Sequence, residues 1–288
     1  MRRVVHSISI VALSAFIAAT GYAQESQTEW QDHQGMLETS IIAGSAGVAE
    51  GFEQQLGLDQ EGKALLAWEA TLKDGWKTYW RSPGEAGLPV RVFNGDTEID
   101  ILYPFPERFE LFGLETYGYS KQVTIPFEVP KKTGEYLLKA DFMVCKDICV
   151  PFNATYEIFV DPSASGTIVT DTRIKGALAE VPHRFGADNS DLAITSVSYS
   201  GKPGHQNLIV EAKAKQPLSK SDLLAELDNA TQFRAPKMRM LADGKSFRYI
   251  LPVVSSDKNL DLSGKRVRLT LSDGRGRAID RFFDLPSR

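Results

Sequence analysis

Two cysteines, Cys145 and Cys149, are all that this 288-residue chain contains. They are not spaced as Cys-x-x-Cys, so a thioredoxin-type site is excluded. HExxH and GxSxG are both absent, which removes the zincin and nucleophile-elbow readings. No glycine-rich phosphate loop is present. His33, His183 and His205 are scattered, and His183, following Pro182, reads as an exposed linker residue. Heptads, low-complexity tracts and short repeats are missing as well. Beyond the N-terminal stretch no run approaches eighteen apolar residues, so the mature chain is expected to have no membrane span. Nor is there a basic excess: without Arg2 and Arg3 the 33 Lys and Arg fall to 31, against 37 Asp and Glu, a net charge of −6. Nucleic acid is therefore not an expected partner.

What is present begins with a leader. Met1-Arg2-Arg3 is a short basic start, Ile8 to Thr20 is apolar, and Gly21-Tyr22-Ala23 ends the run with small residues at −3 and −1. Residues 1–23 thus read as a secretory signal peptide cleaved after Ala23. The mature protein is expected to be exported, into a compartment where disulfides persist.

About 265 residues remain, enough for two domains. Residues 24–36 are polar and are expected to be flexible. Short candidate strands follow at Leu37–Ala43, Ala64–Leu72, Val90–Phe93, Gln122–Val129, Tyr136–Cys145 and Cys149–Val160. Asp74-Gly75, Pro83-Gly84, Asn94-Gly95 and Thr133-Gly134 punctuate them, which predicts an antiparallel β-sandwich over 37–162. Asp161 to Gly166 reads as a boundary, and a linker over 163–190 is expected to hold a short helix at Asp171–Glu180. A second β-sandwich over 191–288 is expected from Leu192–Tyr199, Leu208–Ala214, Phe247–Val254, Val267–Leu271 and Ala278–Phe283. Within it, Ser219 to Asp222 followed by Leu223, Leu224 and Leu227 predicts one capped helix. This second region carries no catalytic cluster.

The cysteines gain meaning from alternation. Tyr136, Leu138, Ala140, Phe142 and Val144 share one parity and are apolar, as are Val150, Phe152, Ala154, Tyr156, Ile158 and Val160. Two strands joined by Lys146-Asp147-Ile148 form a hairpin that sets Cys145 opposite Cys149, both on the more polar face and away from the core. Opposed strand residues have Cα atoms about 4.5–5.5 Å apart, within disulfide range. Lys146 is placed to lower a thiol pKa and Asp147 to oppose it.

Three roles compete for the pair. A structural staple is the plain one, but closing about five residues constrains the unfolded chain by only about 2 kcal/mol, against ~4–5 for a long loop. An exchanging disulfide fits the short loop and polar face better. A Cu(I) site is the third, since Met143 shares the strand parity of Cys145 and thioether and thiolate are soft ligands. Trp76, Tyr79 and Trp80 read as packing residues of the sandwich, with Arg81 and Glu85 tying down the loop that follows.

Further motifs bring a resemblance. GWKTYWRSPGEAGLP over Gly75 to Pro89, then Tyr103-Pro104-Phe105-Pro106 and Tyr117-Gly118-Tyr119, then Cys145-Lys146-Asp147-Ile148-Cys149-Val150-Pro151, together resemble the periplasmic N-terminal region of the DsbD/ScsB family of thiol–disulfide reductases. The resemblance covers roughly Leu37–Val160, and the second region more loosely. It implies an all-β chain of two immunoglobulin-like antiparallel sandwiches, and dithiol/disulfide exchange through Cys145 and Cys149. It implies a periplasmic location, a membrane thiol–disulfide reductase and periplasmic thioredoxin-like proteins as partners, and no cofactor or resident metal. It also implies an aromatic cap over the disulfide, for which Leu111-Phe112-Gly113 offers Phe112. The family's usual membrane and thioredoxin-like domains have no counterpart before Arg288. The alternative expectation is a non-catalytic copper-tolerance or assembly factor with a structural Cys145–Cys149 disulfide or a Cu(I) site.

Overall fold

The computed structural model describes residues 26–185, 191–215, 218, 220–243 and 245–288. The expected leader, 1–23, lies outside the described residues. In the first unit the elements are β1 (Gln31–His33), β2 (Leu37–Ala43), α1 (Glu53–Leu56), β3 (Lys63–Leu72), β4 (Lys77–Gly84), β5 (Arg91–Asn94), β6 (Thr97–Ile99), β7 (Glu107–Leu111), β8 (Leu114–Ser120), β9 (Gln122–Pro130), β10 (Gly134–Cys145) and β11 (Cys149–Val160). After the helix α2 (Ile168–Glu180) come β12 (Leu192–Lys202), β13 (His205–Ala214), β14 (Asp222–Glu226), β15 (Thr231–Phe233), β16 (Lys237–Met240), β17 (Ser246–Ser255), β18 (Arg266–Ser272) and β19 (Ala278–Asp284).

Every paired strand is antiparallel, and the strands form two sandwiches. In the first, the sheet β1-β2-β3-β9 faces the sheet β6-β5-β10-β4-β8-β7, with β11 on the other side of β10. The alternating residues of β10 and β11 close over Trp68, Trp80, Ile125 and Phe127 to make the main core. The second sandwich sets β12-β13-β17-β15, with β16 also on β17, against β14-β18-β19.

Four expectations are corrected. Residues 31–33, within the stretch expected to be loose, pair with β2. They do so because His33 has a polar partner inside the core: its Nε2 lies 2.7 Å from Thr39 Oγ1, which lies 2.5 Å from the Tyr156 hydroxyl, which in turn accepts from Trp68 Nε1 at 3.2 Å. The helix of the connection starts three residues earlier than expected, at Ile168, because Thr167 and Thr170 form a capping box. Its buried face packs Ile174 and Leu178 on Ile42, Leu65 and Ala67. Arg173 pairs at 2.6 Å with the fully buried Glu69. The connection beyond the helix is also stitched down rather than exposed: the His183 N–H donates to Ala278 O and its carbonyl accepts from Asp280 N.

The fourth correction is the expected helix near 219–227, which is β14. Leu223 points into the second core and Leu224 into the first. A strand buried on both faces reads as an unbroken apolar run, and such a run does not distinguish strand from helix. β14 is therefore where the two sandwiches share their interiors.

His33 generates a pH prediction. Its ring lies between Phe142 and Phe152, at centroid distances of 5.1 and 5.2 Å. Burial lowers its pKa below the ordinary 6.5, with Asp32 opposing. The folded state thus favours neutral imidazole, and the unfolded chain takes up the proton first as pH falls. Stability is expected to be complete above about pH 7 and to decline as pH falls below 6.5 toward the depressed folded value. His183, lowered by burial and by Arg281, acts with the same sign. Urea midpoints measured across this window should fall with pH, and His33→Gln should remove part, not all, of the slope.

Candidate functional site

The hairpin register runs without a break from Gly134↔Val160 to Cys145↔Cys149. Its tip closes with Lys146 N–H donating to Ile148 O at 3.0 Å. The two cysteines form a disulfide with Cα atoms 4.1 Å apart. Both point away from the main core, as the alternation requires. Their exposures nevertheless differ: Cys145 is 0% exposed, whereas Cys149 is exposed.

A second, small apolar cluster accounts for the difference. Cys145 packs with Tyr79 and Leu111, flanked by Phe109 and Met143. β4 supplies Tyr79, and β7 supplies Phe109 and Leu111. β4 also pairs Lys77 with Cys145 across the ladder, and the Lys77 ammonium stands 5.0 Å from the centroid of the Phe109 ring. The outer face at the hairpin tip is therefore covered on the Cys145 side and open on the Cys149 side. Lys146, expected to act on a thiol, instead donates from Nζ to Asp74 O at 3.2 Å. Among the described residues no group of three or more His, Cys, Asp or Glu side chains converges as a metal site. Met143 is half-buried against the Cys145 cluster.

The cap region is the turn between β7 and β8. Phe112 sits at its apex with φ 54° and is 64% exposed, so its ring lies largely in solvent. The residue of that turn that covers Cys145 is its neighbour Leu111, 8% exposed. Strand alternation explains the exchange of roles: β7 directs Phe109 and Leu111 to one side, and Phe112 falls past its end.

Tyr79 is the residue whose chemistry the sequence did not disclose. It is fully buried, and its hydroxyl has no hydrogen-bond partner among the described residues. Burial pushes its pKa up to about 12, so it is a neutral donor at physiological pH. The loop after β4 folds over the ring: at Gly87, with φ 103°, an added Cβ would lie 2.4 Å from the Tyr79 ring. That glycine is the signal in the sequence that the preceding tyrosine is enclosed. Arg81 and Glu85 do not simply tie down this loop. Arg81 reaches the second sandwich, pairing with Glu226 at 2.6 Å and Asp280 at 3.3 Å. Glu85 accepts from the Glu115 N–H and pairs with Arg234.

This arrangement, a paired-cysteine hairpin tip under a β4/β7 cover in an antiparallel sandwich, agrees with the comparisons. The family "Thiol:disulfide interchange protein DsbD, N-terminal" matches residues 48–160. That match spans under half of the chain, and residues 48–160 are similar to a DsbD N-terminal domain. A "Domain of unknown function (DUF8393)" matches residues 180–281. The fold is similar to the crystal structure of the N-terminal periplasmic domain of ScsB from Proteus mirabilis. The TM-score is 0.70 at 20% identity, over 91% of this chain and 99% of that one. No curated protein matches the chain significantly. The all-β expectation of immunoglobulin-like sandwiches therefore stands.

The cover generates a prediction about access. Truncating buried Leu111 opens a path to Cys145, whereas truncating solvent-exposed Phe112 removes little cover. Reduction of the disulfide by dithiothreitol, measured well below the melting temperature, should be faster in Leu111→Ala than in Phe112→Ala. Leu111→Ala should also cost about 2–3 kcal/mol of stability, the lower part of the range for a buried leucine. A larger effect from Phe112→Ala would restore the aromatic ring as the cap.

Proposed function

We propose that the chain is a periplasmic thiol–disulfide interchange protein, passing electrons between a membrane thiol–disulfide reductase and periplasmic thioredoxin-like proteins through Cys145 and Cys149. The observation that carries this reading is the unequal exposure of the two sulfurs at the end of one short hairpin loop. A bridge closing so short a loop adds only about 2 kcal/mol by constraining the unfolded chain, so stability alone is a weak reason for it. The DsbD N-terminal match and the fold shared with the ScsB domain support the same class of chemistry. Among the described residues no helix is long and apolar enough to cross a membrane, so the membrane step belongs to another polypeptide or another segment.

Access decides which sulfur is attacked. A partner thiolate attacks Cys149 Sγ, a mixed disulfide forms, and the Cys145–Cys149 bond breaks with Cys145 Sγ leaving as a thiolate. A second thiolate of the partner then attacks the partner's own sulfur in the mixed disulfide and releases Cys149 as a thiolate. This chain gains two electrons and, on protonation, two protons; the partner leaves as a disulfide. The reverse sequence hands the electrons on, with Cys149 as the attacking thiolate and Cys145 resolving the mixed disulfide.

The leaving thiolate is the costly species, because Cys145 is buried and an unpaired charge there is strongly disfavoured. Tyr79 belongs to the cluster around Cys145, and its hydroxyl has no hydrogen-bond partner among the described residues. Lys77, opposite Cys145 in the ladder, brings a positive charge to the same side of the sheet. Both residues favour thiolate departure from Cys145. Tyr79→Phe should therefore slow reduction by a small thiol about tenfold, the worth of one hydrogen bond to a charged group. An unchanged rate would assign Tyr79 to packing alone.

The capture experiment tests the function. Cys145→Ser leaves the exposed Cys149 without its resolving sulfur, and in cells it should accumulate a mixed disulfide with a thioredoxin-like partner. Cys149→Ser leaves only a buried thiol and should capture little. If neither variant traps a thiol partner, and the pair's reduction potential lies below about −300 mV, the bridge is structural and the reading fails.

A further inference from the structure

The second sandwich contains no cysteine, yet it grips the parts of the first that cover Cys145. β7 alternates: Phe109 and Leu111 face the cysteine cluster, while Arg108, just before Phe109, turns to the second sandwich. Arg108 forms two parallel bonds to Asp222, Nε to Oδ2 at 3.0 Å and NH2 to Oδ1 at 2.9 Å, and a third to Leu223 O at 3.3 Å. On the next strand the Tyr117 hydroxyl lies 3.2 Å from Phe233 O. β4 carries Tyr79 into the cluster and, two residues later, Arg81 to Glu226, with Nε and NH2 both engaged and NH2 also on Thr270 Oγ1 at 2.6 Å. The loop that folds over Tyr79 is held through Glu85, paired at 2.6 Å with Arg234. Arg81 and Arg108 are mostly buried at this junction, with side-chain exposures of 11% and 21%. Leu224, from the same strand as Asp222 and Glu226, enters the first core.

We propose that the second sandwich is a brace for the redox site. Its Asp222, Glu226 and Arg234 are positioning residues that hold β4, β7 and the loop over Tyr79 so that Cys145 stays covered and Cys149 alone is open. Bidentate guanidinium–carboxylate pairs suit this task because they fix orientation as well as distance. Being largely out of water, they are not weakened by screening as surface pairs are. A partner that displaced the cover would work against these bonds, so the brace sets how readily Cys145 is uncovered and how selectively the two thiols react.

The inference rests on Cys145–Cys149 being an exchanging pair, but its test needs no partner and can fail separately from that reading. In the full chain, Asp222→Asn combined with Glu226→Gln keeps shape while removing the charges. Three results are expected. Disulfide reduction by dithiothreitol should accelerate about tenfold, as expected for losing charge-assisted bonds that oppose local opening. Backbone amides of 107–117 should exchange hydrogen faster, with those of β12 and β13 unchanged. In the reduced protein, iodoacetamide should alkylate Cys145 at a rate closer to that of Cys149. Glu211→Gln, which removes an ion pair to Arg248 within the second sandwich, should change none of these. If the double variant does not fold, Arg234→Met, whose arginine is 42% exposed, gives the same three readouts on a smaller scale. Unchanged reduction rate and unchanged Cys145-to-Cys149 reactivity in a folded variant would overturn the brace. The same would follow if Glu211→Gln produced equal changes.

Discussion

The unbroken register between β10 and β11 is the constraint on which the rest depends. With period-two alternation, a slip of one residue would turn the whole apolar set, Tyr136 to Val144 and Phe152 to Val160, away from the core. The core therefore holds the register, and the register sets Cys145 opposite Cys149. The short tip loop leaves the pair no freedom to separate. The hydrophobic interior thus dictates the position of the disulfide without touching it, and the sulfurs are free to belong to a different environment on the far face.

That second environment separates two cysteines that are otherwise equivalent in sequence. β4 and β7 lie on the Cys145 side of the tip, and nothing corresponding covers Cys149 among the described residues. A thiol–disulfide relay needs such asymmetry. If both sulfurs were open, a small thiol or a second protein could resolve the mixed disulfide from outside. If both were covered, exchange would require local unfolding at every turnover. One open sulfur backed by a covered one allows attack at the surface and keeps the resolving sulfur for the intramolecular step.

Legibility in the sequence followed the range of the interaction. The hairpin was readable from residues 134–160 because its pattern is local and strictly alternating. So were most core strands of both halves, bounded as they are by glycine-containing turns. The cover of Cys145 was not, because it comes from β4 and β7, tens of residues earlier in the chain and brought alongside only by the fold. Leu111 is an ordinary leucine in sequence, and the aromatic Phe112 beside it drew the cap assignment through resemblance alone. β14 was misread because both of its faces are buried, in different cores. The stretch 24–36 reads as loose because it is polar; the network that gives His33 a place in the core runs through Thr39 to Tyr156 and Trp68, which are distant in sequence.

The Trp-rich stretch shows how one strand can serve three environments. Thr78 donates to Met143 O on the hairpin, Trp80 fills the main core, and Tyr79 joins Cys145. Arg81 then leaves the first sandwich for Glu226 and Asp280 in the second. A displacement along β4 cannot be confined to one of these places, because interiors packed at crystal-like density transmit strain instead of absorbing it. The buried carboxylate of Asp280 strengthens the point: Arg81 and Arg268 hold its pKa below the usual carboxylate range against a large opposing burial effect. Removing Arg81 would leave that charge short of a partner, which is expensive in a buried site. The strand that reaches the disulfide is thus anchored by an electrostatic requirement in another domain, and the two sandwiches are mechanically coupled beside the Cys145–Cys149 bridge.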